Sequence, residues 1–145
     1  MRISFDLDDT LIMSRPGKSE KQGLLYRIAG FESLRMGTVA LIKKLKTEKH
    51  EIFVYTTSYQ RSIYIRAVFA YYGIWLDGVV NQTKHNKRFK SSKQSHSKYP
   101  PAFGIDLHVD DSEGVAIEGE RGGFAILRVS PDDDWWVEKV LRHVG

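Results

Sequence analysis

Two patterns of apolar and polar positions alternate along the chain. Residues 2–7 (RISFDL) and 51–56 (EIFVYT) are short, mainly apolar runs of the kind that form buried strands. Between them, residues 38–48 (TVALIKKLKTE) set Val39, Ile42 and Leu45 at helical spacing, with Leu41 beside them. Arg61–Tyr72 predicts another helix, with Ile65, Val68, Phe69 and Tyr72 toward one face and Gly73 as its stop. A short strand is predicted around Val79 and Val80, and longer ones at Gly104–Val109 and Phe124–Val129. Ser130-Pro131-Asp132-Asp133 then predicts a helix start: a cap, a proline at the first position, and acids facing the positive end of the dipole. Trp135, Trp136, Val140 and Leu141 are expected to bury that last helix.

Strands alternating with helices predict an α/β fold: a Rossmann-like parallel sheet of about five strands with helices on both faces and no full cap domain. In such sheets ligands bind beyond the carboxyl ends of the strands. Asp6, Asp8, Asp9 and Thr10 follow the first apolar run, Thr56, Thr57 and Ser58 the second, and Asp110 and Asp111 the fourth. These polar groups are therefore expected to meet in one site.

Composition limits the alternatives. A chain of 145 residues, 41% of them hydrophobic, has the length for one domain with a sizeable core. It has no cysteine, which excludes disulfides and thiolate zinc sites and agrees with a reducing cytosol. His50, His85, His96, His108 and His143 show no ligand spacing, so no zinc site is read. No run has the length of a membrane span and no leader pattern opens the sequence, so a cytoplasmic protein without a membrane partner is expected.

Asp6-Leu7-Asp8-Asp9-Thr10, directly behind an N-terminal strand, resembles the DxDxT motif of the haloacid dehalogenase (HAD) superfamily, in its phosphatase and phosphotransferase branch. Thr56 resembles the second motif of that superfamily, and Asp110-Asp111 the acidic fourth. The three motifs occur in order over nearly the whole chain. The resemblance implies a Mg²⁺-dependent phosphohydrolase acting on phosphomonoesters through an aspartyl-phosphate. Asp6 would be the nucleophile and Asp8 the acid and then the base. Asp6, the Asp8 main-chain carbonyl and Asp110 would hold Mg²⁺. Thr56 would donate to a phosphoryl oxygen, with Thr57 a neighbouring substrate contact. A carboxylate at position 8 also speaks against halide displacement. Asp9 and Asp111 read equally well as supporting or helix-capping residues.

The resemblance also calls for a lysine. Lys98, in SKYPPAFGIDLHVDDS, is favoured, with Lys93 and Lys90 as alternatives nearer the third strand; Lys93 is otherwise a candidate substrate contact. Residues 82–100 contain six Lys and Arg and no acid, formally +6, which leaves −2 for the rest of a chain of net charge +4. The stretch reads as a solvated flexible loop, or as a funnel for a phosphorylated or polyanionic partner, including a nucleic acid end, with Phe89, Tyr99 and His85 as stacking residues. The expected substrate is thus a nucleotide, a nucleic acid end or a phosphoprotein. A receiver-like phospho-acceptor fits less well, because no lysine follows the fifth strand. The remaining alternative is a HAD-fold module that binds a polyanion without catalysis. The oligomeric state is left open.

Overall fold

The computed structural model describes residues 1–13, 18–91 and 96–145. Five strands, β1 (Arg2–Phe5), β2 (Glu51–Tyr55), β3 (Gly78–Val80), β4 (Leu107–Asp110) and β5 (Ala125–Arg128), form one sheet in the order β3-β2-β1-β4-β5. Every pairing is parallel. The helices are α1 (Leu24–Ile28), α2 (Thr38–Thr47), α3 (Ser62–Ala70), α4 (Gln82–Phe89), α5 (Glu113–Gly122) and α6 (Trp136–Val144), and a 3₁₀ turn spans Pro100–Phe103.

The period of two along the strands divides the sheet into unlike faces. Ile3, Phe5, Ile52, Val54, Leu107 and Val109 point to one side, where α2, α3 and α6 cover them with Leu41, Ile42, Leu45, Phe69, Trp136 and Val140 in the main core. The opposite face holds a smaller cluster of Tyr55, Val80 and Ile105. It also carries the buried polar pair Ser4 and His108, which are register partners on β1 and β4. On this side α5 comes so close that a Cβ on Gly119 would lie 2.8 Å from the Ile126 side chain. The expected α/β sheet with helices on both faces is the fold observed.

Several boundaries differ from expectation. Ser130–Asp133 does not start the last helix, because the buried Arg35 guanidinium takes the carbonyls of Ser130 at 2.9 Å and Asp133 at 2.7 Å. The helix begins instead at Trp136, and Asp133 Oδ1 accepts from the Trp135 N–H. Trp136 is buried as expected, but Trp135 is 73% exposed. The basic stretch is not loop throughout: its first part is α4, capped by Asn81, whose side chain accepts from Lys84 N. Four glycines in and behind α5 weaken its helical pattern, and that helix was not predicted. β4 starts at Leu107, since Gly104 caps the 3₁₀ turn in the left-handed region. Among the described residues, the insert between β1 and α2 contains no helix besides the five-residue α1. No described helix is long and apolar enough to cross a membrane.

Candidate active site

Asp6, Thr56 and Asp110 stand at the carboxyl ends of three neighbouring strands, β1, β2 and β4. Asp6 N donates to Val109 O at 2.8 Å and Thr56 N to Val80 O at 2.9 Å, so the ladder holds the backbone of both residues although they lie one step beyond their strands. β2 and β3 extend the sheet to one side of β1 and β4 and β5 to the other, so the strand order reverses between β1 and β4, the switch point where open α/β sheets bind ligands. After Asp6 the chain reverses tightly: Leu11 N and Ile12 N both donate to Leu7 O, and Asp9 takes a left-handed φ of 60° that Asp tolerates better than most residues. This turn leaves Asp8 and Asp9 exposed beside the buried Asp6.

Among the described residues, Lys98 is the candidate lysine that meets these carboxylates. Its Nζ donates to Asp6 Oδ1 and, at 2.6 Å, to Asp110 Oδ2, and the residue is only 2% exposed. Lys98 comes just before β4 in sequence and reaches the site because its segment crosses the polar face of the sheet. Glu118 on α5 accepts from Ser97 N and Lys98 N, and Tyr55 on β2 accepts from Tyr99 N at 3.0 Å. Tyr55 in turn contacts the buried His85 of α4 at 2.6 Å, so three elements, α5, β2 and α4, hold the lysine's neighbours. Lys90 is exposed at the end of α4, and Lys93 lies outside the described residues.

Below Asp110 lies a relay that the sequence did not reveal. His108 Nε2 is 2.8 Å from Asp110 Oδ2, and His108 Nδ1 is 2.7 Å from Ser4 Oγ. A carboxylate only accepts, so Nε2 carries the proton and Nδ1 accepts from the Ser4 hydroxyl. Burial pushes His108 down to about 4, which keeps the ring neutral. Burial alone would raise Asp110, but the His108 hydrogen bond and the Lys98 charge outweigh it and hold Asp110 near 2. Burial pushes Asp6 up to about 7 despite Lys98, with the Asp110 charge adding to the rise. The pattern offered one clue: Ser4 and His108 interrupt otherwise apolar strands.

Asp8, although exposed at the surface, is raised by desolvation of its carboxyl and by the charges of Glu32 and Asp9. Glu32 was not foreseen. It arrives through the insert, where buried Tyr26 packs on Tyr71 with ring centres 4.8 Å apart and Glu32 N donates to the Tyr64 hydroxyl. Gln60, in the loop after β2, donates to Glu32 at 2.8 Å. Thr56 is buried and its hydroxyl oxygen accepts from Ser58 N at 3.0 Å, whereas Thr57 is exposed.

Carboxylate oxygens of Asp6, Asp110 and Asp111 lie within 4.8 Å of one another, an all-oxygen donor set that fits a hard divalent cation. Asp111 thereby joins Asp6 and Asp110, while the Asp8 side chain is not part of the cluster.

A solved structure described as a predicted HAD-like family hydrolase from Porphyromonas gingivalis matches 99% of this chain and 97% of its own, with a TM-score of 0.54 and 15% sequence identity. The fold is HAD-like. No family model and no curated protein matches the chain. Asp6, Thr56 and Asp110 stand at the strand ends on either side of the switch point of this fold.

Proposed function

We propose that the chain is a Mg²⁺-dependent phosphomonoesterase with Asp6 as nucleophile. The observation that carries this reading is Lys98 bridging Asp6 and Asp110 at the carboxyl ends of β1 and β4, beside an all-oxygen acidic cluster.

In the first step, the Asp6 oxygen not held by Lys98 attacks phosphorus, forming an Asp6 O–P bond while the ester P–O bond breaks. Asp8 gives its proton to the departing oxygen; its raised pKa suits an acid that must be protonated before the step. In the second step, Asp8 takes a proton from water, the water oxygen bonds to phosphorus, and the acyl-phosphate P–O bond breaks. Inorganic phosphate leaves and Asp6 is restored. Lys98 keeps Asp6 oriented and offsets the charge gathering on the phosphoryl oxygens, and the Thr56 hydroxyl donates to one of them. Mg²⁺, held by Asp6, Asp110, Asp111 and the Asp8 main-chain carbonyl, would supply further charge neutralisation at the phosphoryl group.

The test is hydrolysis of p-nitrophenyl phosphate by wild type and Asp6→Asn, with Mg²⁺ and with excess chelator. Turnover that requires metal and vanishes in a folded Asp6→Asn supports the reading. Undiminished turnover in that variant would exclude Asp6 as nucleophile.

A further inference from the structure

Beside the candidate site, a groove of about 720 Å³ runs along the outer edge of β3 between α3 and α4. Gly78 forms part of its floor: a Cβ there would lie 2.2 Å from Phe53 Cε1, so the missing side chain lets the Phe53 ring lie across the strand. Arg61 and Arg66 line the α3 side and Lys84 and Lys87 the α4 side. Among the described residues, none of these four cations has a carboxylate partner; Arg66 donates to the main-chain oxygen of Leu76, and Lys84 donates to that of Val79 and lies 6.0 Å from the centre of the Phe103 ring. The one acid in the groove, Asp77, is engaged by Lys46 at 2.7 Å. Tyr59 also lines the groove and is 69% exposed.

The groove is tied to the catalytic end of the sheet. Tyr59 and Arg61 belong to the loop that leaves Thr56, and Asn81 follows β3. The two loops are joined by Gln82 N donating to Ser58 O at 3.0 Å and Asn81 Nδ2 donating to Gln60 O at 2.9 Å. A chain lying in the groove therefore ends near Thr56.

We infer that this groove binds single-stranded nucleic acid, with the strand's terminal phosphate directed to the Asp6 site. Four cations without acidic partners match a ligand whose negative charge repeats along its length, and an exposed tyrosine among them offers a base a face to stack on. A phosphopeptide brings one phosphate and leaves most of the cations unanswered. A bilayer surface does not enter a concave groove. The terminal-phosphate clause rests on the phosphomonoesterase reading; the binding does not.

Anisotropy of a short fluorescein-labelled oligothymidylate, measured in chelator so that nothing turns over, tests the inference. Neutralising four phosphates predicts an affinity that falls about 50-fold between 50 and 200 mM salt. Arg61→Glu/Lys87→Glu weakens binding about tenfold or more, and Tyr59→Ala about fivefold or more. Lys43→Glu/Arg142→Glu makes the same change in net charge away from the groove and stays close to wild type. The inference is overturned if the oligonucleotide does not bind at low salt or if both double variants lose equally. It also fails if a phosphopeptide or phosphatidylserine vesicles bind as tightly with the same sensitivity to Arg61→Glu/Lys87→Glu. Hydrolysis of p-nitrophenyl phosphate without oligonucleotide binding sinks the groove and leaves the catalytic reading standing. Groove-dependent binding by a protein that hydrolyses no phosphomonoester does the reverse.

Discussion

The Ser4 hydroxyl donates to His108 Nδ1 across the β1–β4 pair at 2.7 Å, and this bond makes His108 Nε2 the donor to Asp110. The relay Ser4–His108–Asp110–Lys98–Asp6 runs from inside the sheet to the proposed nucleophile. Ser4→Ala leaves Nδ1 buried without a partner and is expected to cost about 1–3 kcal/mol, read by urea denaturation. His108→Phe removes the neutral donor and leaves Asp110 Oδ2 to Lys98 alone. If the relay positions Lys98, kcat falls by about tenfold while KM hardly moves, and a variant that is merely less stable would recover full kcat on cooling.

Lys98→Met removes the cation that two buried carboxylates share. The unpaired charges should lower stability by about 3–5 kcal/mol in chelator. Loss of the charge facing the transferring group should lower kcat by roughly 100-fold or more. A folded Lys98→Met with wild-type turnover would remove this lysine from the mechanism.

Mg²⁺ should raise the melting temperature with its concentration, because it binds the folded cluster and not the unfolded chain. Asp111→Asn should reduce that shift and Asp6→Asn abolish it, whereas Asp106→Asn, remote from the cluster, should leave it intact. Equal shifts in all three variants would place the ion elsewhere.

Opposed pH slopes are built into the site. His108 is depressed from 6.5 to about 4, so its contribution to stability is present above 6.5 and lost as pH falls through about 4. Asp6 is raised from 3.8 to about 7, so its contribution is present below 3.8 and lost as pH rises through about 7. The two partly cancel in wild type. Asp8 and Asp111, both raised, and His85, lowered, titrate in the same range, so the histidine slope is read as the difference in chelator between Asp6→Asn and Asp6→Asn/His108→Phe. From pH 6.5 to 4 the variant that keeps His108 should lose up to about 3 kcal/mol more stability than the one without it, and parallel profiles would contradict the buried neutral histidine.

What the sequence determined by itself is the part encoded in near neighbours. Apolar runs of strand length, Val39, Ile42 and Leu45 at helical spacing, and acids directly behind Phe5 and Val109 define the parallel sheet and its carboxyl-end site, because strand and helix periods and strand-end chemistry act over a few residues. Only the tertiary structure decided which partners meet across it. Lys98 reaches Asp6 because Tyr55 and Glu118 draw its segment over the sheet, and Ser4 reaches His108 because parallel register sets the two opposite each other, whereas His108 shares a face with Asp110 by the period of one strand. Arg35 unmade the expected helix start at Ser130 from 95 residues away. Buried hydrogen bonds of this kind are set by packing across distant segments, and no local pattern of residue types contains them.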